Sequence, residues 1–256
     1  MATLTYVGTG EAIDPTLANT SLLYRGARAL LLDCGYAVPH ALWSIEPDPN
    51  AIDGVYLSHL HADHAFGLPA LALWMRLGGR TRPLALLGAA ATVAGARRIL
   101  ELGYPGSFGP DKCFPIEAVA LSSSSATAWG EMELRIAPSD HKRMANHAVV
   151  VAEQGAARFG YSGDGRPSPA TRELFARVPH VVHECFGHRV DTTPEGHASL
   201  DELLKLGTQL GTRRLDLLHF ARDQRARIAQ AIDALDTDAL GFVCRAATPG
   251  MEVVLE

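Results

Sequence analysis

The chain lacks clustered cysteines, a dominant charge sign and long apolar runs, and each shortage removes a class of function. Its four cysteines, Cys34, Cys113, Cys185 and Cys244, stand far apart with no C-x-x-C pair. Neither a thiolate metal cluster nor a dithiol redox pair fits that spacing. Reduced, partly buried thiols are expected instead, as in a reducing cytoplasm. No segment approaches the ~18 consecutive apolar residues of a membrane span. The opening Met-Ala-Thr-Leu-Thr-Tyr-Val-Gly has no basic stretch and no apolar run long enough for a signal peptide. A cytoplasmic protein with no membrane partner is therefore expected. The net charge of −5 is mild and spread along the chain, and the densest cationic runs are only 76–82 and 213–214. A nucleic-acid binder usually carries a basic stripe, so charge gives phosphate polymers no support.

What remains is the composition of an ordinary globular enzyme, with 47% hydrophobic and 20% charged residues in 256. Low complexity is confined to 122–125, and neither a linker nor an internal repeat divides the chain, so one domain over 1–256 is expected. Short β-rich runs open it at 4–7, 21–24 and 29–33, the last two joined by Arg-Gly. A helix is expected over 39–45 and a buried strand over 54–57. Helical spacing covers 66–77 and 91–102, with a strand over 83–87 between them. Strands follow at 114–121, 132–137, 147–153 and 158–161. Helices over 169–177, 200–210 and 222–235 then alternate with strands over 181–184 and 215–218, and a hairpin-like pair at 239–245 and 252–255 closes the chain. Two halves of this kind predict an α/β fold in which two sheets pack face to face with helices outside, a four-layer αββα sandwich.

The most specific chemistry lies in Ser58-His59-Leu60-His61-Ala62-Asp63-His64, on the loop leaving the 54–57 strand. An i, i+2 histidine pair in a tight loop can grip one cation, while Asp63 and His64 point to a neighbouring one. Imidazole with carboxylate suits Zn²⁺, Fe or Mn²⁺, and the histidine count favours Zn²⁺ and Fe. A polar loop of solvated histidines would need costly desolvation or other partners.

This segment resembles the metallo-β-lactamase superfamily, and within it the branch of RNase Z and related phosphodiesterases. The resemblance runs nearly the full length, through Val7-Gly8-Thr9-Gly10, Ala18-Asn19-Thr20-Ser21, Leu31-Leu32-Asp33-Cys34-Gly35 and Phe66-Gly67-Leu68-Pro69. It implies the four-layer sandwich, a metal-dependent hydrolase with a dinuclear centre, and further ligands in a set order. His141 in Ala137-Pro138-Ser139-Asp140-His141 is the candidate for the next histidine. His147 is the alternative, but it falls inside an apolar strand. Asp164 in Ser162-Gly163-Asp164-Gly165 is the candidate for the aspartate shared by two cations, although Asp-Gly is also a common turn. His219, in Leu218-His219-Phe220, resembles the last ligand; a capping or core histidine is the other reading.

Further roles are expected, the first of them implied by the same resemblance. His197 in Glu195-Gly196-His197-Ala198-Ser199 is a candidate proton donor to a leaving group, against a solvent-exposed residue before a helix. Asp63 would orient or deprotonate the attacking water. Asp33 and Glu184 are candidates to hold the outer ring nitrogens of histidines. The roles of His183 and His188 stay open.

The substrate is less legible. RNase Z carries a long arm between the histidine and aspartate ligands, whereas His141 and Asp164 here stand only 23 positions apart. A small-molecule substrate, a small or cyclic phosphodiester, is therefore expected. The alternatives are tRNA 3′ processing through another surface, such as Arg76, Arg80 and Arg82, or hydrolysis of esters, lactones or sulfate esters. A homodimer is the expectation for an enzyme of this size.

Overall fold

Strand alternation sorts the apolar residues onto two sides of each sheet. In β1 (Ala2–Gly8) Leu4 and Tyr6 face one side and Val7 the other; in β3 (Ala29–Leu32) Leu30 and Leu32 oppose Leu31. In β9 (His147–Glu153) Val149 and Val151 join the first set, while Ala148 and Val150 join a third. A period of two with apolar residues on both faces requires cover on both. A computed structural model describing residues 1–255 shows what supplies it.

The first sheet has the order β14–β1–β2–β3–β4–β5–β6, where β2 is Ser21–Arg25, β4 Gly54–Tyr56, β5 Leu84–Ala89, β6 Ile116–Leu121 and β14 Glu252–Leu255. The second has the order β13–β12–β11–β10–β9–β8–β7, with β7 Thr127–Trp129, β8 Met132–Pro138, β10 Ala156–Tyr161, β11 His180–Glu184, β12 Arg214–Leu218 and β13 Val243–Ala246. Each sheet is antiparallel at one end and parallel at the other: β3 to β6 and β10 to β13 run parallel.

The inner faces meet in one cluster that contains Tyr6, Leu32, Leu134, Phe159 and Leu218. Outside the first sheet, α1 (Val38–Ile45), α3 (Leu68–Leu77) and α4 (Ala90–Gly103) bury Leu42, Leu71 and Ala96. Outside the second, α5 (Pro169–Phe175), α6 (Leu200–Leu210) and α7 (Arg225–Asp233) bury Phe175, Leu206 and Ile228. The molecule is the expected αββα sandwich. Each fully buried large apolar side chain in it contributes roughly 1.5–3 kcal/mol of transfer free energy.

Three local expectations differ. Residues 62–65 form a separate short helix, α2 (Ala62–Ala65), ahead of α3. The three-residue β7 carried too little pattern to be seen. The closing pair is not a hairpin. Asp236 caps a short helix, α8 (Thr237–Leu240), by accepting from the Asp238 and Ala239 amides, and Gly241 ends it at φ 75. The chain then enters β13 beside β12, while β14 pairs with β1 in the opposite sheet. No described helix is long and apolar enough to cross a membrane.

Candidate metal centre and proton-donor site

Because the parallel strands of each sheet share a direction, their carboxyl ends open on one edge of the sandwich. Asp33 follows β3, His59 follows β4, Asp164 follows β10, Glu184 ends β11 and His219 follows β12. His141 lies just past β8. The edge therefore gathers residues that are up to 186 positions apart, which is the usual place for a site in such folds.

The seven candidate ligands fall into two groups. His59, His61, His141 and Asp164 form one; Asp63, His64, Asp164 and His219 form the other, and within each group the ligand atoms lie within 4.8 Å of one another. Asp164 belongs to both. Its carboxylate is 3.3 Å from His64 Nε2, 3.4 Å from His219 Nε2 and 4.0 Å from both His59 Nε2 and His141 Nε2. Asp63 stands 3.2 Å from His64 Nε2. His147, at the start of β9, belongs to neither group.

Several observations fit divalent cations here. His61 Nδ1 lies 3.1 Å from His59 Nε2 and 3.2 Å from His141 Nε2, so three ring nitrogens converge on a common point. His64 Nε2 and Asp164 Oδ1 are buried 3.3 Å apart without a well-formed hydrogen bond, and such atoms are costly unless something else satisfies them. Burial holds His59 well below the usual imidazole range and lowers His61, favouring the neutral form with a lone pair to give. Burial opposes charge on Asp164, but His219, His64 and His59 outweigh it and keep the carboxylate ionised.

The outer nitrogens are fixed as well. His64 Nδ1 is 2.8 Å from Asp33 Oδ2, His141 Nδ1 3.0 Å from the Gly196 carbonyl, His219 Nδ1 3.0 Å from Thr20 Oγ1, and His59 Nδ1 3.0 Å from Ser58 Oγ. Four of the five rings are thus oriented by a partner outside the groups, as ligand histidines usually are. Asp33 and His219 hold their backbones at φ 58 and φ 60, an uncommon region for residues with a side chain, at the site itself.

Asp164 is presented by a turn that only glycine allows. Gly163 sits at φ 59, and a Cβ on it would come within 2.3 Å of Asn146 Oδ1 and 2.5 Å of Ser58 Cβ. Asn146 braces the turn, donating to the Ser162 carbonyl at 2.9 Å and accepting from the Asp164 amide at 3.2 Å. Asn146 and Tyr161 were missed from the sequence, since nothing local marks them, and Ser58 and Gly196 stood in quoted motifs without a role assigned to them. Thr20 lay within a motif already noted, but its partner is 199 positions away.

His197 lies beside these groups, its ring centroid 5.1 Å from that of His141 and 6.1 Å from that of His219. Phe186 stacks on it at 4.5 Å. Its Nδ1 is 3.2 Å from Glu184 Oε1. Burial works against a charged ring, but the hydrogen bond and charge of Glu184 prevail and lift its pKa to about 9. Glu184, fully buried, also accepts from the amides of Gly165, Phe186 and Ala198. It thereby ties the Asp164 turn, the end of β11 and the His197 loop to one carboxylate. His183 packs inside, its Nδ1 2.7 Å from the Glu184 carbonyl, outside both groups.

The arginines named for the alternative surface, Arg76, Arg80 and Arg82, have partners of their own. Arg80 is buried, and its guanidinium donates to the carbonyls of Pro49, Ile52, Arg82 and Pro83. Arg82 pairs with Asp53, and Arg76 donates to the Ser107 carbonyl. These guanidiniums serve to close a loop.

Known proteins are consistent with this architecture. A family described as Anti-Pycsar protein Apyc1 matches residues 2–247. The Anti-Pycsar protein Apyc1 of Bacillus phage 010DV004 is 29% identical, covering 85% of this chain and 88% of its own. Ribonuclease Z of Mycobacterium sp. (strain KMS) is 27% identical, covering 90% and 91%. The crystal structure of the metallo-β-lactamase fold protein YhfI from Bacillus subtilis superposes with a TM-score of 0.79 at 18% identity, covering 98% of each chain. With its fold, edge and family match together, the chain belongs to the Anti-Pycsar Apyc1 family and is a phosphodiesterase-like, metal-dependent hydrolase on the metallo-β-lactamase fold.

Proposed function

We propose that this chain, as a single domain acting in the cytoplasm, hydrolyses small or cyclic phosphodiesters with two divalent cations, Zn²⁺ favoured over Fe or Mn²⁺. His59, His61, His141 and Asp164 would hold one cation, and Asp63, His64, His219 and Asp164 the other. Bound there, the cations would acidify a water and neutralise charge on the phosphoryl oxygens. Asp63 would orient that water and accept its proton; burial opposes its charge, but His64 and His219 keep its carboxyl below the usual range. As the water oxygen joins phosphorus, the opposite phosphorus–oxygen bond breaks, and His197 passes a proton to the departing alkoxide. Glu184 fixes His197 Nδ1, which leaves Nε2 as the atom that gives the proton.

The observation that carries this reading is the His197–Glu184 pair beside the two groups, because an alkoxide leaving group needs a donor there. A short β9–β10 hairpin fills the span between His141 and Asp164, and the 76–82 arginines are spent on carbonyls and Asp53. Both features support a small substrate over tRNA.

The test is to purify the protein without added metal, quantify bound metals, and assay bis(p-nitrophenyl) phosphate beside a p-nitrophenyl ester and a lactone. About two metals per chain and diester cleavage that collapses in His197→Ala are expected. Turnover of the ester or lactone alone would reject the phosphodiesterase reading, and less than one metal per chain after reconstitution would reject the dinuclear centre.

A further inference from the structure

A cavity of about 300 Å³ opens at the end of the second sheet opposite the candidate metal centre. Its polar wall comes from Arg158 of β10, His180 at the start of β11, and Arg213 and Arg214 at the start of β12. Its apolar wall comes from Pro179 and residues 253–255 of β14. At about 3.3 Å per residue, the five residues of β11 put roughly 13 Å between His180 and Glu184. The cavity is therefore no part of the edge that gathers the candidate ligands.

The polar wall is held in place before any ligand arrives. The Pro179 carbonyl accepts from the Arg213 and Arg214 amides at 2.9 and 3.0 Å and from Thr212 Oγ1 at 3.0 Å. Arg214 Nε donates to both oxygens of Asp216, at 3.0 and 2.8 Å. Arg158 forms no hydrogen bond among the described residues; its Nε is buried, 3.8 Å from Glu153 Oε2. Both nearby carboxylates thus engage the Nε sides, which leaves the terminal nitrogens of Arg158 and Arg214 for another acceptor. His180 is 4% exposed, and while its Nε2 meets Asp216 Oδ2 at 2.8 Å, its Nδ1 has no hydrogen-bond partner. Arg80 shows the contrast, because its guanidinium is spent on four carbonyls. Polar groups so poorly met at a packed sheet end are costly unless something else satisfies them.

The wall carries three guanidiniums and, among the described residues, no carboxylate, so its ligand is an anion. A carboxylate has two oxygens and matches one guanidinium fork, whereas a phosphoryl group has three and can serve Arg158 and Arg214 together. Pro179, Val253 and Leu255 offer nothing to a second charge and suit a carbon chain. The volume lies at the low end for ligand pockets, which keeps that chain short.

We propose that this cavity is a second ligand site, which takes a phosphate monoester with a small apolar body. The phosphoryl oxygens lie across the Arg158 and Arg214 guanidiniums, and the carbon chain lies against Pro179 and β14. The site stands apart from the reaction proposed for the metal edge and does not depend on it.

The experiment is calorimetric titration of the metal-loaded protein with n-butyl phosphate, inorganic phosphate and butyrate, each on wild type, Arg158→Gln and Arg213→Gln. n-Butyl phosphate should bind wild type several-fold more tightly than inorganic phosphate does. Its Kd should weaken about tenfold in Arg158→Gln and by a smaller factor in Arg213→Gln. Phosphate held at the metal edge would titrate alike in all three proteins, so equal binding by wild type and both variants would overturn the site. Butyrate binding as tightly as n-butyl phosphate would overturn the phosphoryl class. Inorganic phosphate binding as tightly would overturn the apolar seat. Arg158→Gln removes no hydrogen bond among the described residues, and its urea melt should match that of wild type. If it melts early, Arg213→Gln, changed at an exposed position, carries the test.

Discussion

Asp33 Oδ2 lies 2.8 Å from His64 Nδ1, and both side chains are fully buried. The same carboxylate accepts from the Ser58 amide and hydroxyl and from Tyr161 Oη at 2.7–2.8 Å. Tyr161 belongs to the second sheet, so a residue leaving the first sheet sets the direction of a candidate ligand through contacts to both. Asp33→Asn replaces one accepting oxygen by a donor that cannot serve His64, Ser58 and Tyr161 together. Metal affinity is expected to fall about 10–100-fold, measured by competition with a chromogenic chelator. Unchanged affinity would mean that Asp33 supports the fold alone.

The Glu184–His197 pair should separate binding from turnover. Glu184→Gln keeps the size of the side chain but loses the charge that raises His197. Turnover of a diester with a poor leaving group should drop about 10²–10⁴-fold in His197→Ala, and by a smaller factor in Glu184→Gln. The loss should shrink as the leaving group becomes more acidic, because such a group departs without a proton. A loss independent of leaving-group acidity would remove His197 from the donor role.

Removing the metals should abolish hydrolysis while leaving the sandwich folded, since three apolar clusters hold it independently of the edge. Adding Zn²⁺ back at about 1,000 times its Kd should stabilise the chain by roughly 4 kcal/mol. Calorimetric melting of chelated and reconstituted protein reads this directly. An identical Tm for both would show that the edge binds no metal.

At the opposite end of the second sheet, Asp216 accepts from His180 Nε2 and from Arg214 Nε, both at 2.8 Å, and from Tyr6 Oη of the first sheet. Burial opposes its charge, but His180, Tyr6 and Arg214 keep its carboxyl below the usual range. A native value below the unfolded one means that the unfolded chain binds the extra proton. Its contribution to stability is therefore complete above about pH 4 and fades as pH falls through the native value. Asp216→Asn should cost about 2–4 kcal/mol at neutral pH. The gap to wild type in urea melts should narrow as pH drops below about 4; a gap that stays constant would assign the loss to packing.

Gly35 is a packing prediction. A Cβ there would lie 1.9 Å from the Asp63 carbonyl oxygen, a backbone atom held by the start of α2. Gly35→Ala should destabilise the fold by about 1–3 kcal/mol and loosen the loop that presents Asp63 and His64. Denaturant melts and metal content should fall together.

Strand alternation and helical spacing made the layers legible because each element buries a regular face, as Leu4 and Tyr6 do against Val7. The candidate ligand cluster was legible because His59 to His64 lie in one short segment. Their supports were not. Thr20 meets His219, and Tyr161 meets Asp33, only once distant strands pair, and no local pattern encodes such a meeting. The closing strands misled for a related reason. A hairpin and a pair split between two sheets have the same alternation, and the choice depends on which edge each finds vacant. Arg76, Arg80 and Arg82 looked like a surface patch because charge in a sequence says nothing about which carbonyls lie within reach.

The passage from β13 to β14 carries the chain across the sandwich within a few residues. On the way the Ala247 amide bonds the Leu217 carbonyl in one sheet, and the Gly250 amide bonds the Tyr6 carbonyl in the other. This stretch acts as a rivet through both plates. Neither sheet can peel away while the other stays whole, so loss of order should be all-or-none, and no half-open form with one intact sheet should build up during melting.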